Sequence, residues 1–291
     1  MNDQAQKLRE LAKNKDLKPD PVKRASHRCR SIAITSGKGG VGKSTLSLTL
    51  AGAIQKLQKK VLLMDVDLGL ANVHILLGMA PRYNISHFIS GECGLNDVVM
   101  RTSGGIALVP GASGLEELAN MDASRLERLR VDFMGLEESY DFLVMDTGAG
   151  IGSTVTHFSS HADLTLLVMS PDPTSLADAY AMVKVLYEKG ATRIGVVVNM
   201  ASNDREGSET FDRLNALVVK FLKKPLELFG VILSDKEIQR FGRMQNLLKA
   251  DSTHNRFVHR TTVLARKICG CGIAEKSSFF SRFFGRINSG V

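Results

Sequence analysis

The sequence predicts an α/β fold, a single doubly wound, mostly parallel sheet with helices on both faces. Three observations lead there. Seven short runs rich in Val, Ile and Leu are continuous rather than alternating, as in parallel strands buried on both faces. Longer segments of helical periodicity lie between them, and alternating β and α units imply crossover helices. A glycine-rich stretch, SGKGGVGKST at 36–45, sits between the first run and the first long helix, at the strand ends where such sheets gather ligands.

In chain order, strands are expected at Ser31–Ser36, Lys60–Asp65, Ile106–Val109, Phe142–Asp146, Leu164–Met169, Ile194–Asn199 and Leu228–Leu233. Helical patterns cover Ser44–Leu57, Ser124–Ser139, Thr174–Lys189, Glu209–Lys223 and Ser252–Ile268. The stretch SNDREGS at 202–208 reads as a mobile polar loop. Three regions follow. Residues 1–30 hold a short helix and a linker with Pro19 and Pro21, residues 31–271 form the core, and residues 272–291 form a separate tail.

The 291 residues suffice for one large α/β domain or two small ones, and 44% hydrophobic content supports a sizeable core. No apolar run approaches the ~20 residues needed to span a bilayer. The N-terminus, MNDQAQKL, has no apolar segment of the secretory kind, so a cytoplasmic protein is expected. Cys29, Cys93, Cys269 and Cys271 form no C-x-x-C pair and read as reduced thiols without metal. No H-E-x-x-H occurs, so zinc hydrolase chemistry has no support. The net charge of +8 is concentrated at the two ends, as for contact with an anionic partner or for solvated tails.

From Gly37 to Lys43-Ser44 the chain fits the phosphate-loop pattern G-x-x-x-x-G-K-[ST]. Backbone N–H groups of Gly37, Gly39, Gly40, Val41 and Gly42 would cradle phosphate at a helix N-terminus, where anions bind. Lys43 supplies charge to the β/γ-phosphates, Ser44 offers a hydroxyl to Mg²⁺, and Thr45 completes the set. Asp65 and Asp67, two apart on a strand, point to one face. Asp146 ends an apolar strand before Thr147-Gly148-Ala149-Gly150.

The second lysine, Lys38, makes the loop K-G-G-x-G-K-[ST]. This resembles the deviant Walker A of the MinD/ParA class of P-loop NTPases, within the SIMIBI group. The resemblance implies binding of ATP or ADP with Mg²⁺, and an ATP-dependent homodimer in which Lys38 reaches the partner's nucleotide. Asp65-Val66-Asp67-Leu68-Gly69-Leu70-Ala71-Asn72 resembles switch I of MinD-type proteins. There Asp67 would position the attacking water, while Asp65 would support either the Mg²⁺ shell or the loop. Phe142–Asp146 resembles a Walker B strand running into switch II, with Asp146 holding a Mg²⁺-bound water. MinD relatives usually have proline where this chain has Gly148, which leaves the switch more flexible. Asn199 matches an asparagine that reads the adenine edge, and Asp235 lies where the class closes over the base.

The two ends narrow the resemblance. In KSSFFSRFFGRI at 276–287, Phe279, Phe280, Phe283, Phe284 and Ile287 share one helical stripe flanked by Lys276, Arg282 and Arg286. Aromatics beside basic residues mark an interfacial helix for an anionic membrane surface; a helix packed on the core is the competing arrangement. Asp3-Gln4-Ala5-Gln6-Lys7-Leu8-Arg9 is similar to the D-Q-A-x-x-L-R segment of flagellar MinD homologues of the FlhG/FleN type. In that branch Asp3, Gln4, Ala5, Leu8 and Arg9 would meet FlhF, a GTPase of the signal-recognition-particle type, with Gln4 nearest its nucleotide. The D-T-G-A-G of switch II also occurs there. The branch implies slow, dimer-dependent ATP hydrolysis, control of flagellar number and placement, and contact with flagellar C-ring proteins and, in some bacteria, a flagellar transcriptional activator. It also implies peripheral attachment to the bacterial inner membrane, at the cell pole, in the ATP state. A ParA-type DNA-partition ATPase, a MinD-type division regulator and an iron–sulfur carrier are the rivals. No specific nucleic acid is expected, because DNA binding would not explain the clustered phenylalanines.

Overall fold

The computed structural model describes residues 28–67, 73–111, 121–245, 247, 255–272 and 277–287. The elements run β1 (Arg30–Ser36), α1 (Lys43–Lys56), β2 (Val61–Val66), α2 (Val73–Leu76), α3 (Ile85–Ser90), α4 (Leu95–Val98), β3 (Met100–Arg101), β4 (Ala107–Val109), α5 (Ala123–Glu137) and β5 (Phe142–Ala149). They continue with α6 (Ser153–His161), β6 (Leu164–Met169), α7 (Pro173–Glu188), β7 (Ile194–Ala201), α8 (Asp204–Leu222), β8 (Glu227–Leu233), α9 (Lys236–Arg243), α10 (Arg256–Gly270) and α11 (Phe279–Ile287). The strands form one eight-stranded sheet in the order β3-β4-β2-β5-β1-β6-β7-β8. Every pairing is parallel except the edge pair β3–β4.

The period-2 geometry of strands divides the core between two faces. Ile32 and Ile34 of β1 join the cluster under α1 and α10, whereas Ala33 joins the one under α5 and α6. Leu166 and Val168 of β6 face the first side, and Leu167 and Met169 face a third cluster under α7 and α8. All seven expected strands are present, and β5 runs three residues further than expected, through Thr147 and Gly148 to Ala149.

Two expectations change. Residues 202–208 are not a loop. Helix α8 begins at Asp204, and the Asn203 side chain caps it by accepting the Glu206 N–H at 2.9 Å. The polar letters there are the cap and an acidic first turn that suits the helix dipole. The tail, too, is not separate from the core over its described part. Phe279, Phe280, Phe283 and Phe284 are buried against α5 and α6. Phe280 stacks on Phe133 at 4.7 Å between centroids, and Phe283 lies 4.4 Å from Phe158. Each such side chain is worth about 1.5–3 kcal/mol buried, so the stripe is satisfied by protein in this conformer. The side chain of Ile287 lies outside the described residues, as do Asp3, Gln4, Ala5, Leu8 and Arg9.

No helix among the described residues is long and apolar enough to cross a membrane.

Candidate functional site

The site lies where β1, β2 and β5 end. Ser36 closes β1, and the chain turns through Gly37, Lys38, Gly39, Gly40 and Val41 before α1 starts at Lys43. Ser36 Oγ donates to the Lys38 carbonyl at 2.6 Å, which holds the turn closed at its base. Gly42 takes φ +87°, a left-handed conformation that glycine reaches without strain. A Cβ there would also lie 2.5 Å from Asn199 Nδ2. The first N–H groups of α1 lack intrahelical partners, so the loop and Ser44 and Thr45 present donors and a positive dipole end to an anion.

Asn199, two residues before the end of β7, is tied to this loop. Its Nδ2 donates to the Val41 carbonyl at 2.8 Å, the residue is 2% exposed, and its Oδ1 is buried without a partner among the described residues. One side of the amide thus shapes the phosphate loop, and the other is an unanswered acceptor that a ligand donor would satisfy. Asp235 has a different occupation. Its Oδ1 accepts the Glu237 and Ile238 N–H groups at 2.8 and 3.2 Å and caps α9.

Below the loop two carboxylates are buried side by side, because Asp65 on β2 and Asp146 on β5 pair directly in register. Burial pushes Asp146 up to about 6, against the opposing pull of the Ser44 and Ser47 hydroxyls and of Lys43. Burial, and then the Asp146 charge, pushes Asp65 up to about 7. Ser47 Oγ donates to Asp146 Oδ1 at 2.8 Å. Lys43 is buried, which lowers its pKa, while Asp146 and Asp67 act in the other direction. The two oxygens of Asp65 accept the N–H groups of Asp67 and Val73, at 3.2 and 3.1 Å. Asp65 therefore clamps both ends of the segment 68–72, whose residues lie outside those described.

Asp67 reaches toward β5. A Cβ on Gly148 would lie 3.3 Å from Asp67 Oδ1 and 3.3 Å from Val155 Cγ2. A side chain at 148 would crowd this carboxylate, which gives a physical reason for glycine here.

Lys38 is engaged by the start of α7. Its Nζ lies 3.0 Å from Asp172 Oδ1 and 2.5 Å from Thr174 Oγ1. Asp172 also caps α7 through the Ser175 N–H at 2.8 Å. Hydrogen bonds from Ser170 and Thr174, then Ser175 and Lys38, hold its carboxyl well below the usual range. Ser47, Asp172 and Thr174 were not singled out from the sequence. An acid followed by proline after the sixth strand is an N-cap signal, but nothing local connects it to Lys38, 134 positions earlier.

The residues fit a divalent cation. Ser44, Asp146 and Asp65 offer hard oxygen donors, and two adjacent buried carboxylates with raised pKa values need a positive partner. Among the described residues no cluster of three His, Cys, Asp or Glu side chains forms a protein-only metal cage. Mg²⁺ is usually held by one or two carboxylates plus water and phosphate, and the oxygens of Ser44, Asp65 and Asp146 are donors of that kind.

Comparison with known proteins agrees with this geometry. Residues 32–247 match the CobQ/CobB/MinD/ParA nucleotide binding domain. The antiactivator FleN of Pseudomonas aeruginosa is 40% identical over 220 residues, covering 75% of this chain and 79% of that protein. The flagellum site-determining protein YlxH of Helicobacter pylori is 34% identical over 258 residues, covering 88% of this chain and 87% of that protein. The solved structure of the cell division ATPase MinD of Pyrococcus furiosus superposes with a TM-score of 0.66 at 27% identity, over 82% of this chain and 98% of that one. The chain therefore belongs to the CobQ/CobB/MinD/ParA nucleotide-binding family and is an ATPase of the MinD/ParA type.

Proposed function

We propose that this ATPase controls the number and placement of bacterial flagella. One observation carries the reading: a flagellum site-determining protein is 34% identical over 88% of the chain, a span much longer than the phosphate-loop motif that all MinD/ParA ATPases share.

The work of the site is positioning, since phosphoryl transfer asks little covalent chemistry of a protein. The loop N–H groups and Lys43 hold the ATP phosphates. Asn199 holds the loop in shape and offers Oδ1 to the base. Two ATP-bound copies meet face to face, and Lys38 exchanges Asp172 for the partner's nucleotide. Asp67 orients the attacking water, and hydrolysis is slow until the dimer completes the site. A Mg²⁺ ion held by Ser44 and Asp146, with Asp65 supporting the loop beside it, would neutralise charge on the phosphates.

In the dimer α11 leaves α5 and α6 and lays its phenylalanines into the inner membrane at the pole. Two linked copies bind more firmly than one by effective concentration. In ADP the helix docks again and the protein returns to the cytoplasm. The N-terminal segment, through Asp3, Gln4, Ala5, Leu8 and Arg9, stimulates the GTPase FlhF. C-ring proteins and a flagellar transcriptional activator are further partners.

The test is genetic. The gene is deleted in its host and restored as wild type or Lys43→Ala, and flagella are counted by electron microscopy. Altered number or position, rescued by wild type alone, is expected. Unaltered flagella in the deletion strain would sink the proposal. For the membrane arm, co-sedimentation with anionic liposomes should occur in ATP and not in ADP.

A further inference from the structure

A surface cavity of about 140 Å³ lies at the other end of the sheet, lined by Arg28, Arg30, Lys59, Asp141, Phe142 and Cys269. Arg30 and Phe142 are the first residues of β1 and β5, whereas the phosphate loop follows the last residue of β1. Seven residues of strand, roughly 20 Å, separate the two places, so this cavity is no part of the nucleotide site.

Its charge is unbalanced. Among the described residues three cations line it against one carboxylate, Asp141, and Asp141 Oδ2 accepts the Lys60 N–H at 2.6 Å. Asp163, behind Arg28, is shared between Arg28 at 2.9 Å and Arg282 at 3.0 Å. Burial lowers the Arg282 pKa, the Asp163 charge opposes that, and the nearby Arg28 charge adds a smaller push downward. Donor capacity is also left over. Arg28 Nε has no hydrogen-bond partner among the described residues, but it is buried, so an anion in the cavity would meet it only after the side chain turns. Arg30 uses Nη1 on the carbonyls of Cys269 and Cys271, at 3.2 and 3.3 Å, and its guanidinium lies 5.8 Å from the Phe142 ring centre. Lys59 is exposed beside them.

We propose that this cavity binds a phosphate group, either inorganic phosphate or the terminal monoester of a lipid headgroup. Guanidinium forks match phosphate oxygens in geometry, and the ammonium adds a point charge. The volume is well below the 300–1,000 Å³ of pockets that enclose drug-sized ligands, so what the cavity can enclose is a group of about the size of one phosphate. The site touches the tail, because Arg28 Nη2 also donates to the Ser277 carbonyl at 2.9 Å, just before α11. A bound anion therefore competes for the arginine that holds the root of that helix. The proposal does not rest on the flagellar reading and stands or falls without it.

The test uses the full-length protein saturated with Mg·ADP, so that the phosphate loop is already filled. Inorganic phosphate is titrated in by calorimetry at constant ionic strength. Lys59→Gln removes an exposed cation and is expected to leave the fold intact. Saturable binding weakened about tenfold by Lys59→Gln, and lost in Lys59→Gln/Arg30→Gln, with ADP affinity unchanged, assigns the site to free phosphate. Vesicles of phosphatidylcholine with phosphatidic acid are compared with phosphatidylglycerol vesicles of matched surface potential. No response to free phosphate, but a phosphatidic-acid preference that Lys59→Gln abolishes, assigns it to a lipid headgroup. Absence of both responses, or binding that neither substitution alters, overturns the proposal.

Discussion

Glu137 Oε1 accepts the backbone N–H of Phe279 at 2.9 Å, so the last residue of α5 caps the first turn of α11. Its other oxygen takes the Phe280 N–H at 3.2 Å and the Ser278 hydroxyl at 2.6 Å. The carboxylate is 3% exposed, and the four phenylalanines close over the surface beside it. Packing and capping thus act together to hold the tail on the ATPase core.

Glu137→Ala should loosen that helix selectively. Losing a charged cap costs about 1–3 kcal/mol, a fall of roughly 2–4 °C in Tm per kcal/mol for a domain of this class. Hydrogen exchange at 279–287 should speed up while exchange in β1 and β5 stays slow. Unchanged exchange in α11 would show that the rings alone hold it.

The tail also shows what a sequence can and cannot carry. Helical spacing places Phe279, Phe280, Phe283 and Phe284 on one stripe, and the structure keeps them together. Spacing is silent about what covers a stripe, and Phe133 and Phe158 are more than a hundred positions away. The phosphate loop was legible because glycines at left-handed φ, Gly40 and Gly42, dictate it locally. The strands were legible because burial on both faces removes alternation. Residues 202–208 were misread because an N-cap and an acidic first turn have the composition of a loop. The rest position of Lys38 was invisible because Asp172 meets it only through the fold.

Lys38 and Asp172 are each about 40% exposed, at 41% and 40%, and pairs so exposed contribute roughly 0–1 kcal/mol. Release of Lys38 is therefore cheap, as the proposed exchange of Asp172 for a partner's nucleotide requires. Lys38→Ala should move Tm by no more than about 2–4 °C and abolish the ATP-dependent dimer seen by light scattering. A variant that still dimerises with ATP would refute the cross-interface role.

Asn199 holds the Val41 carbonyl from a position that water does not reach. Asn199→Ala removes the donor and leaves that carbonyl unanswered, at about 1–3 kcal/mol, and should weaken ADP binding by about tenfold. Asn199→Asp should do worse, because it turns an acceptor toward an acceptor. Calorimetric ADP affinities decide this, and wild-type affinity in the alanine variant would remove the pinning role.

The pair Asp65 and Asp146 makes stability depend on pH in protein free of nucleotide and metal. Both carboxyls have pKa values raised in the fold, to about 7 and about 6, from an ordinary 3.8. Between pH 4 and 7 the native state holds protons that the unfolded chain has released, so stability from this pair falls as pH rises through that window. The loss is largest above pH 7, where both are ionised in both states, and is on the order of a few kcal/mol. Other carboxylates act in the opposite direction, so the informative quantity is a difference. The Tm of wild type minus that of Asp65→Asn should fall from pH 5 to pH 8, because the amide never ionises. Added Mg·ADP should flatten the trend by supplying positive charge to the pair, and its affinity should rise over the same pH range as those protons are displaced. A difference in Tm that is constant or rising between pH 5 and 8 would mean that the two buried carboxyls are already ionised in the native state.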